Sequence, residues 1–206
     1  ERLAELGIPL RIVRSESAAA TPKLVVDSAI ACGCVRIIAN REHELNEQRR
    51  DAAVLELARA RAIEVSYHTD QVALEPESIR TGEGRFYTVF TPFKKNWTKA
   101  LIAQGGPIIH PVPRKRRAVA IASDPVPASI EGSASGIDPA VWPGGERIAA
   151  KRLRGFVANG LMNYKSTRDI PSIDGTSALS PHLAVGSLST RQCIGAAMKA
   201  NTMTDS

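Results

Sequence analysis

Val35–Tyr67, which reads VRIIANREHELNEQRRDAAVLELARARAIEVSY, decides the fold. Two short β-branched runs, Val35 to Ala39 and Ile63 to Tyr67, flank a long helical pattern from Glu44 to Ala62 that carries Leu45, Val54, Leu57 and Ala58 inward. Parallel strands need a crossover of a dozen or more residues, usually a helix, so this stretch predicts strand, helix and parallel strand. Working outward, Pro9 to Val13 reads as a further strand, and Pro22 to Ala31 as a helix with Thr21 as N-cap before a proline in the first turn. Two strand-helix-strand units result, the pattern of an α/β domain whose parallel sheet is covered by crossover helices.

The chain opens on a helix-like segment, Glu1 to Leu6, followed at once by a strand. A sheet begun there lacks the strand that normally precedes such a helix, and the expectation is that the N-terminus has been lost. Between Gly105 and Gly145 lie seven of the 13 prolines, with several glycines and serines, a composition that suits a long connection. So long a loop is unusual inside one domain and reads as an interdomain linker. Beyond it Glu146 to Asn159 and Ser189 to Lys199 are helical, the opening of an all-helical second domain. The expected division is an α/β domain over 1–104, a linker over 105–145 and a helical domain over 146–206.

Composition bounds the function classes. With 206 residues and 43% hydrophobic content the chain can build a packed core, and it lacks a membrane-length apolar run. Glu1 to Gly7 lacks the basic start and apolar run of a secretory signal, so a soluble, intracellular (cytoplasmic) and monomeric protein is expected. Cys32, Cys34 and Cys193 are an odd number without the paired spacing of a zinc site; they read as buried thiols, and no metal is expected. The net charge of +6 has the sign of a protein that meets phosphate backbones. Much of it comes from Arg114, Lys115, Arg116 and Arg117, a kind of run that more often marks a solvated linker than a nucleic-acid patch.

Chemistry concentrates in Tyr164 to Ser189, YKSTRDIPSIDGTSALSPHLAVGSLS. Gly175 permits a tight turn, Thr176, Ser177 and Ser180 supply hydroxyl and amide donors, and Pro181 fits the first turn of a helix whose N-terminus attracts anions. That set can hold a diphosphate; it is equally the set of an ordinary capped turn before a helix.

Through Arg168-Asp169, Pro171, Gly175-Thr176-Ser177, Leu179-Ser180-Pro181, Leu183-Ala184, Gly186 and Leu188-Ser189, this stretch resembles the flavin-binding signature of the photolyase and cryptochrome family. The resemblance implies FAD contacts at Tyr164, Thr176, Ser177, Ala178, Leu179 and Ser180. It implies a DNA phosphate contact at Arg168, whose bland alternative is an ion pair with Asp169. Ala39 to Glu47, with Arg49, Arg50 and Asp51, is similar to the family's antenna motif, although the family usually has an aromatic at His43. In its folate-type members the positions of Asn46 and Glu47 bind methenyltetrahydrofolate; a deazaflavin or no antenna occurs in others, and polar residues at a helix start are also caps. Tyr87 to Trp97 resembles the family's Val-Phe-Thr-Pro-Phe element, read as an apolar strand ending in a Thr-Pro helix start with its aromatics in the core. Trp142-Pro143-Gly144-Gly145-Glu146 resembles the structural entry to the helical domain.

The resemblance runs from about Leu6 to the last helix and is nearest to class I cyclobutane pyrimidine dimer photolyases. It implies a Rossmann-like antenna domain, a long linker and the start of an all-helical FAD-binding domain, truncated at both ends. The implied activity of the parent is light-driven dimer repair in DNA by electron transfer from reduced FAD, with catalytic residues outside these 206 positions and the piece itself inactive. A cryptochrome-type photoreceptor without repair activity, or a nucleotide-binding adaptor without photochemistry, are the alternatives.

Overall fold

Local chemistry sets the helix ends in the computed structural model of the chain, which describes residues 2–117, 119–128, 136 and 138–204. Glu1 of the expected first helix, and positions 118, 129–135 and 137 of the expected linker, lie outside the described residues. The described elements are α1 (Arg2–Glu5), a 3₁₀ turn (Ala18–Ala20), α2 (Thr21–Ala31), β1 (Arg36–Asn40), α3 (Leu45–Arg59), β2 (Glu64–His68), α4 (Phe90–Ala103), α5 (Glu146–Asn159), α6 (Tyr164–Thr167), α7 (Ser180–Ala184) and α8 (Thr190–Thr204). They fall into two compact units, residues 1–69 with 111–134 and residues 70–110 with 135–206. The cuts lie elsewhere than the compositional boundaries at 104 and 145.

In the first unit β1 and β2 pair in parallel, with Ile37 opposite Val65 and Ala39 opposite Tyr67, and α3 is the crossover between them. This is the strand-helix-strand order that the sequence predicts. Val26 of α2, Val54 and Ala58 of α3, and Ile63 form the buried cluster, with Val25, Ala29, Ile37 and Val65 packed on it. Only one side of the ribbon is covered, since Ile38 is 63% exposed. The helix α2 ends because Gly33 takes φ +65°, letting Cys34 N–H reach the Ala29 carbonyl at 2.8 Å and Gly33 N–H the Ile30 carbonyl at 2.9 Å, a Schellman closure.

Five readings from the sequence need correction. Pro9 to Val13 forms no strand: Leu10 N–H donates to Ser123 Oγ (3.0 Å) and Ile12 N–H to Asp124 Oδ2 (2.7 Å), while Asp124 N–H donates to the Leu10 carbonyl (2.8 Å). A distant segment of the connection has claimed the amides that a sheet neighbour needs. Thr21 is the first residue of α2 rather than its N-cap; Ser17 Oγ caps the preceding turn by accepting from Ala20 N–H at 3.2 Å. Tyr87 to Val89 is irregular, because the helix starts at Phe90 and places Pro92 in its first turn, where no amide is required. None of the aromatics there is fully in the core: Phe90 is 72% exposed and Tyr87, Phe93 and Trp97 are half-buried, while Leu101 is the buried residue of α4. Of the three cysteines, Cys34 is exposed on the turn after Gly33, and Cys32 and Cys193 are half-buried.

The described regular elements of the second unit are all helices. Ala149 of α5, Leu179 and Leu188 form its buried cluster, with Leu153, Leu183 and Cys193 against it. Thr190 Oγ1 donates to the Gln71 carbonyl at 3.2 Å and Arg191 lies 3.7 Å from Asp70, tying the start of α8 to the segment that begins at residue 70. No helix among the described residues is long and apolar enough to cross a membrane, and no group of three metal-ligating side chains occurs among them.

Candidate functional site

The loop between α6 and α7 is built by successive tight turns. Ile170 N–H donates to the Thr167 carbonyl, Ile173 N–H to that of Ile170, and Gly175 N–H to that of Ile173. These turns bring the buried Gly175 back onto α6, where Thr167 Oγ1, which donates to the Asn163 carbonyl at 2.8 Å, sits 3.5 Å from the Gly175 carbonyl. The approach is so close that a Cβ on Gly175 would meet Thr167 Oγ1 at 2.5 Å, its Cβ at 2.6 Å and its carbonyl carbon at 2.8 Å.

From there the chain passes Thr176 and Ser177 to Ala178, which takes φ +47°, and then to Leu179 in the right-handed helical region. A left-handed residue followed by a right-handed one turns successive amides toward a common side, the geometry of an anion nest. Leu179 is buried in the core and anchors the loop; Ser180 opens α7 with Pro181 behind it. Among the described residues the amides of Thr176, Ser177 and Ala178 and the hydroxyls of Thr176, Ser177 and Ser180 have no hydrogen-bond partner. Thr176 and Ser180 are exposed, and Ser177 and Ala178 are half-buried. A row of unspent donors on a backbone held in a costly conformation fits an anion and offers little to a neutral apolar ligand.

Tyr164 is exposed at the start of α6, its ring edge-on to Phe156 of α5 at 5.8 Å and 87°. The Arg168 guanidinium stands 5.6 Å from the Tyr164 ring and its Nε 3.4 Å from Asp169 Oδ2. Both charged side chains face solvent, so the ion pair is weak and leaves the guanidinium available to a phosphate. Sequence reasoning missed Arg152. Its guanidinium donates to the Ala178 carbonyl at 3.2 Å and lies 5.3 Å from the Trp142 ring, linking α5, the loop and the Trp-Pro-Gly-Gly-Glu segment. Nothing local in the sequence marks it, because its partner is 26 positions away.

The second candidate site lies in the first unit, where β1 runs into α3. Asn46 is exposed and Glu47 half-buried, both in the first turn of a 15-residue helix whose N-cap, Glu44, makes no side-chain cap. Glu44 Oε2 instead accepts from His43 N–H at 3.1 Å, and Gln48 Nε2 donates to the His43 carbonyl at 2.7 Å. Behind this entry Arg50 bridges Glu42 (2.8 Å) and Asp51 (2.7 Å), and Tyr67 of β2 donates its phenol to the Asp51 carbonyl at 3.1 Å. The Asp51 hydrogen bond raises the Arg50 guanidinium above its ordinary value, and burial followed by the Asp51 charge does the same for the Tyr67 phenol. His43 Nε2 and Asp51 Oδ2 are buried and unpartnered. The C-terminal end of parallel strands, beside a helix start, is where open α/β sheets place ligands.

A parallel strand-helix-strand unit followed in the chain by a helical unit defines an α/β protein. Comparison with known proteins then places it: the model of the DNA photolyase family matches residues 1–116, and the chain belongs to that family. The deoxyribodipyrimidine photo-lyase of Salmonella typhimurium is 36% identical over 192 residues, which take in 93% of this chain and 40% of the relative. That of Escherichia coli is 36% identical over 194 residues, with the same two shares. Among solved structures, a class III photolyase from Agrobacterium tumefaciens matches with TM-score 0.70 at 25% identity, over 85% of this chain and 37% of that one. A Synechocystis cryptochrome shares the fold, with TM-score 0.61 at 20% identity over 88% and 39%. The chain spans about 40% of the length of the curated relatives it matches.

Proposed function

We propose that the full-length parent of this chain repairs cyclobutane pyrimidine dimers in DNA with light, using reduced FAD, and that residues 146–206 contribute one side of the flavin site. The observation that carries this reading is the loop from Thr176 to Ser180, whose free hydroxyls and amides suit a dinucleotide's diphosphate. Bound FAD would supply photoinduced electron donation to the dimer. The chain's own residues bind and orient. Thr176, Ser177, Ala178 and Ser180 hold the diphosphate, Leu179 fixes the loop to the core, and Tyr164 lines the cofactor's edge. Arg168 holds a DNA phosphate, as suits an always-charged guanidinium half exposed beside the loop.

In the same reading Asn46 and Glu47 hold an antenna, methenyltetrahydrofolate in preference to a deazaflavin, because an amide and a carboxylate match the donor and acceptor edge of a pterin. The boundaries 1–104, 105–145 and 146–206 describe the parent's antenna domain, linker and helical domain. The 206 residues alone have little or no repair activity, and the parent acts in the cytoplasm as a monomer.

Illumination of the purified full-length protein with thymine-dimer DNA tests the reading. Dimer loss that requires light and bound FAD supports it; flavin photoreduction without dimer loss identifies a photoreceptor, and absence of flavin absorbance a nucleotide-binding adaptor. For the chain itself, replacing Thr176, Ser177 and Ser180 together by Ala is expected to weaken FAD binding at least ~10-fold, since each lost hydroxyl contact to a diphosphate is worth about 1 kcal/mol or more. Flavin fluorescence quenching measures it, and unchanged affinity would remove the loop from the site.

A further inference from the structure

The segment Arg114–Arg117 is a cationic ribbon held at a fixed place on the first unit. All four side chains are exposed, and among the described residues none has an acidic partner. By contrast, Arg11, Lys23, Arg36 and Arg50 of the same unit each hold a carboxylate. Asp124 is the sole acid in residues 111–128, and it is already engaged by Arg11 and by the Ile12 amide. Nor does the run swing freely as a solvated connection would. Arg116 N–H donates to the Leu6 carbonyl at 2.9 Å, and farther on Asp124 N–H donates to that of Leu10 at 2.8 Å, so the ribbon is stitched to residues 6–12 from within the run and again beyond it.

From this we infer that Arg114, Lys115, Arg116 and Arg117 bind the phosphodiester backbone of duplex DNA without regard to sequence, apart from the damaged base. Three of the four are guanidinium groups, which match phosphate oxygens bidentately. No helix includes the run, so the amphipathic face with which basic segments enter a lipid surface is missing. Four residues without helix span at most about 14 Å, a reach of roughly four phosphates along one strand. The choice of DNA over other polyanions rests on the repair reading above; the electrostatics do not.

Binding of the chain to an undamaged duplex, in the dark and without flavin, is followed by fluorescence anisotropy from about 50 to 200 mM salt. Exchanging all four residues for Gln should lower the slope of log affinity against log salt by up to about 3.6 units, because each neutralised phosphate contributes roughly 0.9. R114Q/K115Q and R116Q/R117Q should each remove about half of that, while R114K/R116K/R117K keeps the slope. Because these side chains are exposed and the Arg116 amide persists in every variant, circular dichroism and melting should match the parent sequence. A slope unchanged by fourfold neutralisation overturns the inference, as does preferential binding of the unaltered chain to phosphatidylserine vesicles. Absence of dimer repair by the full-length protein, with the slope still lowered by the fourfold exchange, would sink the repair reading alone; dimer repair with a slope that the exchange leaves unchanged would sink this inference alone.

Discussion

At Gly175 the residue type follows from space alone. Alanine there must push a Cβ into the backbone carbon as well as the side chain of Thr167, so the loop has to move. Gly175→Ala should destabilise the chain by about 1 to 3 kcal/mol in urea unfolding. Adding Thr167→Ala should recover little, since two of the three clashing atoms remain. Full recovery in the double variant would mean that the hydroxyl alone sets the fit. Ala178 poses the opposite case, a Cβ kept in the left-handed region at φ +47°. Glycine relieves about 1 kcal/mol of strain there and costs a similar amount of chain entropy, so Ala178→Gly should fall within about 0.5 kcal/mol of neutral. A loss above about 1 kcal/mol, the usual glycine cost inside a helix, would place Ala178 in ordinary backbone.

Among the elements, the segment 6–13 is held in part by Asp124. Its carboxyl lies below the usual range because the Ile12 amide and the Arg11 guanidinium both bond the charged form. A folded value below the unfolded one means that the unfolded chain binds more protons as pH falls. The tether is therefore complete above the ordinary carboxylate value of about 3.9 and fades below it. Hydrogen exchange at the Ile12 amide, corrected for intrinsic rates, should show protection falling as pH drops through that region, and Asp124→Asn should flatten the dependence because its amide oxygen still accepts but does not titrate. The helices α3 and α5 and strands β1 and β2 sit within about three residues of where periodicity puts them, because their signals are local. Pro9–Val13 and Tyr87–Phe90 carry strand-like composition, yet neither found a strand partner, and composition contains no information about partners.

Across the whole molecule the buried clusters are small, and among the described residues no large side chain is fully buried. Little apolar burial remains to offset chain entropy, so the 206-residue chain should unfold in urea with a stability below about 5 kcal/mol. It should also bind anilinonaphthalene sulfonate and scatter light increasingly with concentration, through exposed residues such as Val35, Ile38, Phe90 and Val185. A sharp transition above about 5 kcal/mol without dye binding would contradict this account. By itself the sequence determined the α/β class, the strand-helix-strand order and the hydroxyl-rich loop, since backbone periodicity and turn chemistry act over a few residues. Only the tertiary structure decided that the connection stitches down residues 6–12, that Arg152 braces the Ala178 carbonyl and that Gly175 must lack a side chain. Each of those depends on groups distant in the chain, or folded back upon it, meeting within a few ångströms, and no local pattern encodes such a meeting.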